Sequence, residues 1–169
     1  MENQASAKPN LAAELKVHRI YTKSSSFESA NLTAPEIAVA QPVIDLQIHA
    51  NVYPQSLTEN THEVILTLQV TAKHNGALLW QVQLQQAGRY ALVGFTPETE
   101  KFVLNGFCMN QLYPYACAEV SHLVNQGGFG MVYLQPIDFA QKYKEQQSMV
   151  SPASVASTTS VEAMPTSVN

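Results

Sequence analysis

At 169 residues, with 46% hydrophobic and 13% charged side chains, the chain is long enough for one domain that buries most of the surface its unfolded form exposes. A formal charge of -4, with Lys and Arg sparse and scattered, excludes a nucleic-acid binder, which needs clustered cations. No apolar run reaches bilayer thickness, and Met1 to Leu15 lacks the basic start, apolar run and cleavage site of a secretory signal, so the expectation is a cytoplasmic protein with no membrane insertion.

Residues 1–14 read as a flexible segment. Leu15 to Lys23 is a strand of weak pattern, suited to a sheet edge. In Val43 to Val52, Ile44, Leu46, Ile48, Ala50 and Val52 alternate with Asp45, Gln47, His49 and Asn51, the period of a half-buried strand. Glu63 to Lys73 repeats the pattern with Val64, Leu66, Leu68, Val70 and Ala72 on one face. Asn75-Gly76 supplies the two positive-φ residues of a primed hairpin turn. The return strand sets Trp80, Val82 and Leu84 against Gln81, Gln83 and Gln85, and continues past an expected irregularity at Ala87-Gly88 into Tyr90 to Val93.

Four strands with one apolar and one polar face make an antiparallel sheet covered on one side, and the helices that follow must cover it. Thr96-Pro97-Glu98 is a helix start: a hydroxyl cap, a proline whose missing N–H costs nothing there, and an acid at the positive end of the dipole. That helix holds Phe102, Val103 and Phe107. Pro114 is expected to open or kink a second helical segment, which Gly127 ends. Asp138, with Gln141 three residues on, caps a short final helix with Phe139 and Tyr143 on one face. Strands first and helices after give an α+β class: a four-stranded antiparallel sheet with helices packed on one face. The domain spans residues 15–147, and residues 148–169, rich in Ser, Thr and Ala with one charge at Glu162, read as a disordered tail.

Reaction chemistry is thinly marked. Cys108 and Cys117 match no disulfide framework or zinc spacing, and His18, His49, His62, His74 and His122 are spread singly. Gly127-Gly128-Phe129-Gly130 follows a helix instead of opening one, so it cradles no phosphate. A thiol pair of Cys108 or Cys117 with His122 lacks an orienting acid. The expectation is no enzyme, no metal and no cofactor.

Four fragments carry a family resemblance. Arg19-Ile20-Tyr21-Thr22-Lys23 with Ser26-Phe27-Glu28, Val82 to Gly88, Asn110 to Ala116 with Gly127-Gly128-Phe129, and Pro136 to Phe139 together resemble the bacterial protein-export chaperone family SecB. Order and spacing agree from about Lys16 to Gln147. The resemblance implies a cytoplasmic, nucleotide-free holdase. Such a protein is a homotetramer built as a dimer of dimers, which keeps unfolded secretory precursors in apolar grooves and passes them to the SecA motor.

It also implies sites. Tyr115, Phe139 and Tyr143 match aromatic positions near the family's peptide groove, and Trp80 stands where another large apolar residue is frequent. For SecA, Glu28 matches one family carboxylate, Ser24 occupies the position of a second and Gln83 that of a third, beside Gln81 where an apolar residue is usual. Further departures are Ala40 in place of Trp, Cys117 in place of Arg and Gly130 in place of Pro. The lost charges leave an alternative: a dedicated-client or small-ligand binding module on the same fold, with weakened SecA docking.

Overall fold

Alternation with period 2 decides the sheet. The computed structural model describes residues 12–31, 33, 42–54 and 60–150. Within them β1 (Glu14–Ser29), β2 (Val43–Pro54), β3 (Thr61–His74) and β4 (Ala77–Val93) form one antiparallel sheet in the order β1-β4-β3-β2. The β3–β4 turn is the expected one, with Asn75 at φ 51 and Gly76 at φ 80. Its register stacks Leu68 on Leu84 and Val70 on Val82. β1 lies at an edge, as its weak pattern suggested, and runs on past Lys23 to Ser29.

Ala87-Gly88 is not an irregularity. Both residues are in register, opposite Ile65 and Val64 on β3. The extra residues lie elsewhere: Leu79 on β4, and His18 and Lys23 on β1, where the pairing with β4 shifts. Gly88 is there for space, since a Cβ would sit 2.5 Å from Cε2 of the fully buried Tyr90 ring.

The helical layer is a continuous rod where two helices were expected. α1 (Pro97–Phe102) is capped by Thr96, whose Oγ1 accepts from the Thr99 N–H at 3.3 Å. It passes through a wide π-helical turn, Val103–Phe107, directly into α2 (Cys108–Gln126). Pro114 therefore opens nothing and lies inside α2. The reason is the ridge Cys108, Leu112, Ala116, Val120 and Val124, every fourth residue and all buried, which packs on the sheet on both sides of the proline. An interior proline costs about 3 kcal/mol, and each large apolar side chain buried returns about 1.5–3 kcal/mol. The exposed Pro114 faces away from the sheet, so the ridge wins. α2 ends with Gly127, and the left-handed residue is Gly128 at φ +86.

α3 (Phe139–Val150) is tied back to α2. Asp138 Oδ1 accepts from the N–H groups of Ala140 at 3.0 Å and Gln141 at 3.1 Å, the expected cap. Asn110 Nδ2 donates to the same carboxylate oxygen at 3.2 Å, its Oδ1 accepts from the Phe139 N–H at 2.8 Å, and the Tyr113 hydroxyl donates to the Gln135 carbonyl at 2.7 Å. The flanking segments assigned above to residues 1–14 and 148–169 lie largely outside the described residues, which start at 12 and end with α3 at 150.

Gly88→Ala is expected to lower unfolding stability by about 1–3 kcal/mol by overpacking against Tyr90. Urea unfolding reads this, and a midpoint unchanged from the parent would contradict the close packing.

Candidate functional site

One end of β2 is left open by the helices. Its inward residues Leu46, Ile48 and Val52 are only half buried, Ile44 is 40% exposed, and Ala50 is exposed. The space beside them is a groove of about 400 Å³. Ile48 and Ala50 form one wall, Asn105 of the π turn another, and Phe139 and Tyr143 of α3 the third. Both aromatic rings are held from behind: Phe139 lies edge-on to Tyr113 at 5.5 Å, and Tyr143 tilts on Phe102 at 6.2 Å. Among the described residues β2 pairs only with β3, so no described residue takes the N–H and C=O groups of its other edge, beside the pocket.

The four aromatic residues assigned to peptide binding do not form one site. Phe139 and Tyr143 meet in this groove. Trp80 is 1% exposed in the core, 6.4 Å from Phe129, which also packs on Phe27 at 6.2 Å. Tyr115 is 56% exposed on α2 and does not line the groove. The sequence reading missed Asn105, because only the π turn brings it to the groove. Ala40 lies outside the described residues.

Glu28, Ser24, Gln81 and Gln83 do share a surface, the outer face of the sheet. Pairing sets Glu28, Gln81, Thr71 and Asp45 in one row and Ser26, Gln83, Gln69 and Gln47 in the next, with Ser24 and Gln85 beyond. Glu28, Ser24 and Gln83 are exposed and Gln81 is half-buried. Asp45 is a second exposed carboxylate at the far end of the Glu28 row, and the alternation of β2 already placed it on the polar face.

Farther along this face the sign changes. Arg19 and Arg89 are directly paired across β1 and β4, and Glu63 stands beside Arg89 on β3. Like charges opposite each other repel, and the neighbours relieve it: Arg19 lies over the Tyr21 ring at 4.6 Å, and Arg89 Nε is 4.0 Å from Glu63 Oε1. The β1 bulge brings Lys23 Nζ to 3.0 Å from Glu63 Oε2, and the Tyr21 hydroxyl donates to Oε1. Donation by Tyr21 and then Lys23 holds the Glu63 carboxyl below its ordinary 4.5, against the opposing pull of burial.

Thiol chemistry finds no support in the geometry. Cys108 is fully buried, and burial pushes its thiol up to about 12, while burial also raises Cys117. Reactive thiols need the opposite shift. Among the described residues no group of three or more His, Cys, Asp and Glu is placed to hold a metal, and no helix is long and apolar enough to cross a membrane.

Both the sequence and the fold have counterparts among known proteins. The family described as preprotein translocase subunit SecB matches residues 8–150. The chain belongs to the SecB family. Protein-export protein SecB of Xanthomonas euvesicatoria is 38% identical over 145 residues, covering 85% of this chain and 84% of that protein. That of Nitrosococcus oceani is 34% identical over 158 residues, covering 91% and 94%. The Mycobacterium tuberculosis Rv1957 SecB-like chaperone, solved with a ChAD peptide from the Rv1956 HigA1 antitoxin, shares the fold. Its TM-score is 0.61 at 13% identity over 73% of this chain and 91% of that one. Gly130 has a φ of +78, which is closed to proline.

Because the folded Glu63 carboxyl titrates below the unfolded one, its contribution is present above the unfolded value of 4.5 and is lost as pH falls through the folded value. Glu63→Gln should flatten the decline in urea midpoint between about pH 6 and about pH 3. A decline of unchanged steepness would show that the cluster carries none of the acid sensitivity.

Proposed function

We propose that this SecB-family chain is an ATP-independent holdase. In this reading it keeps unfolded secretory precursors export-competent in the β2–α3 groove and delivers them to SecA, in the cytoplasm and without cofactor or catalysis. The observation that carries it is the groove, where a pocket of mixed apolar and polar lining, backed by aromatic rings, runs beside a strand edge that no described residue pairs. Such a surface suits chains of many sequences, because main-chain hydrogen bonds are common to all of them and the pocket accepts either kind of side chain. A homotetramer arranged as a dimer of dimers follows the family, and exposed Phe107 (46%), Tyr115 (56%) and Tyr133 (82%) support further association. Multiple grooves then hold one long client by avidity.

Docking of SecA is assigned to the outer row of Glu28 and Asp45. The uncharged Ser24 and Gln83, with Arg19 and Arg89 farther along the same face, favour the second reading: a module for a dedicated client with weakened SecA attraction.

Titration calorimetry with several unrelated unfolded precursors separates the two. Binding of all of them is expected, and binding of one alone would sink the general-holdase reading. Tyr143→Ala is expected to weaken precursor binding about five- to tenfold, the loss of about 1–1.4 kcal/mol of aromatic contact. The double change Glu28→Lys with Asp45→Lys should lower SecA affinity at low salt, an effect that fades as salt is raised. A tetrameric mass in solution is expected, and a monomer would count against the assembly.

A further inference from the structure

Cations scattered in the sequence are gathered by the fold. Lys16, Arg19 and Lys23 of β1 and Arg89 of β4, four of the chain's nine Lys and Arg residues, are exposed at one end of the outer sheet face. Arg19, Arg89, Glu63 and Tyr53 form one row across all four strands. Arginines set directly opposite each other repel, and their neighbours relieve only part of this. Both oxygens of Glu63 are already taken, Oε1 by the Tyr21 hydroxyl and Oε2 by Lys23 Nζ at 3.0 Å. Arg89 Nε, at 4.0 Å from Oε1, is beyond hydrogen-bond distance. Arg19 rests the face of its guanidinium on the Tyr21 ring at 4.6 Å, a contact that leaves its N–H edge unused. Among the described residues neither guanidinium donates a hydrogen bond. Beside the row the face is hollowed: Asn51, Tyr53, Gln85, Lys23 and Glu63 surround a concavity of about 400 Å³ floored by the buried Ile65. Two planar forks held together against their own repulsion, with donors to spare, suit an anion from outside the chain.

We propose that this end of the outer face docks an acidic segment of a partner protein, whose Asp or Glu carboxylates bridge the Arg19 and Arg89 guanidiniums while a neighbouring side chain rests in the hollow over Ile65. Charge decides between such a segment and an anionic membrane. Glu14 lies beyond Lys16 on the same face, and Glu28 and Asp45 hold its far end. A plane of negative charge would meet all of them on a chain that is already at -4, whereas a short segment meets only the basic end. The β2–α3 groove lies on the inner face, so this docking site stands whether or not the holdase reading does.

The test uses the full chain and two fluorescein-labelled peptides, one of alternating Asp and Ser and the other with Asn in place of every Asp, read by anisotropy. At low salt the Asp peptide should bind about tenfold tighter, as expected for a forked contact between charged groups. The preference should shrink as salt is raised. Arg19→Gln combined with Arg89→Gln should abolish it, and Arg89→Lys, which keeps the charge and loses the fork, should retain only part of it. Arg89→Gln alone removes one of two opposed charges, so its urea midpoint is expected at or above that of the parent. Tyr143→Ala, on the inner face, should leave the Asp peptide bound as before. Equal affinities for the two peptides, a preference that survives the double change, or one lost in Tyr143→Ala overturns the proposal. Vesicles rich in phosphatidylglycerol that bind the parent more tightly than the Asp peptide does, and release the double variant, would assign the arginines to a membrane and overturn it as well.

Discussion

One helix cannot cover four strands. An α-helix with its side chains is about 10–12 Å across, and strands lie about 4.8 Å apart, so the ridge Cys108, Leu112, Ala116, Val120 and Val124 spans the two central strands and little more. The burial follows that width. Val64, Leu66, Leu68 and Val70 of β3 and Val82 and Leu84 of β4 are fully buried, while Leu46, Ile48 and Val52 of β2 are only partly so. The uncovered inward face of β2 is therefore a consequence of topology, and the candidate groove exists because the sheet is wider than its lid.

The second constraint is how α3 reaches that gap. The segment after Gly128 has no regular structure until residue 139, so α3 depends on side chains for its position. Asn110 and Tyr113 provide them, holding the Phe139 N–H, the Asp138 carboxylate and the Gln135 carbonyl. Two stretches of the sequence that carry the family resemblance, Asn110 to Ala116 and Pro136 to Phe139, are the two halves of one clasp. The π turn completes it, because Gly106 lets the Ala140 backbone close in where a Cβ would lie 2.9 Å from Ala140 Cα. Conformational precision at the groove thus comes from hydrogen bonds to a rigid helix.

The strands, their faces and the hairpin turn were legible because period 2, an Asn-Gly pair and alternating Gln or Thr carry their own geometry. The rod was not. Pro114 is a local signal for interruption, and it lost to a buried ridge that becomes visible only once the sheet is placed. The bulges of β1 were misassigned to Ala87-Gly88 because a glycine in a strand signals either a bulge or a close approach, and only the Tyr90 ring over Gly88 distinguishes them. Of the aromatic residues, Phe139 and Tyr143 could be paired from i, i+4 spacing, whereas the burial of Trp80 depends on Phe129 folding back from beyond α2.

β2 finally explains why the two surfaces stay separate. Successive side chains on a strand point to opposite faces. Ile48 and Ala50 can therefore line the groove while Asp45 and Gln47 stand on the outer face within the same short stretch of chain. A client added along the edge of β2 would use the backbone between these two sets and leave the outer row of Glu28 and Asp45 free. A basic partner drawn to that row would in turn meet the strand that holds the client without competing for the pocket. Where they meet, the two faces share the backbone of β2, the described strand least covered by helices. Any change that stiffens or frays β2 is then felt at both, whereas a change of charge on one face is felt there alone.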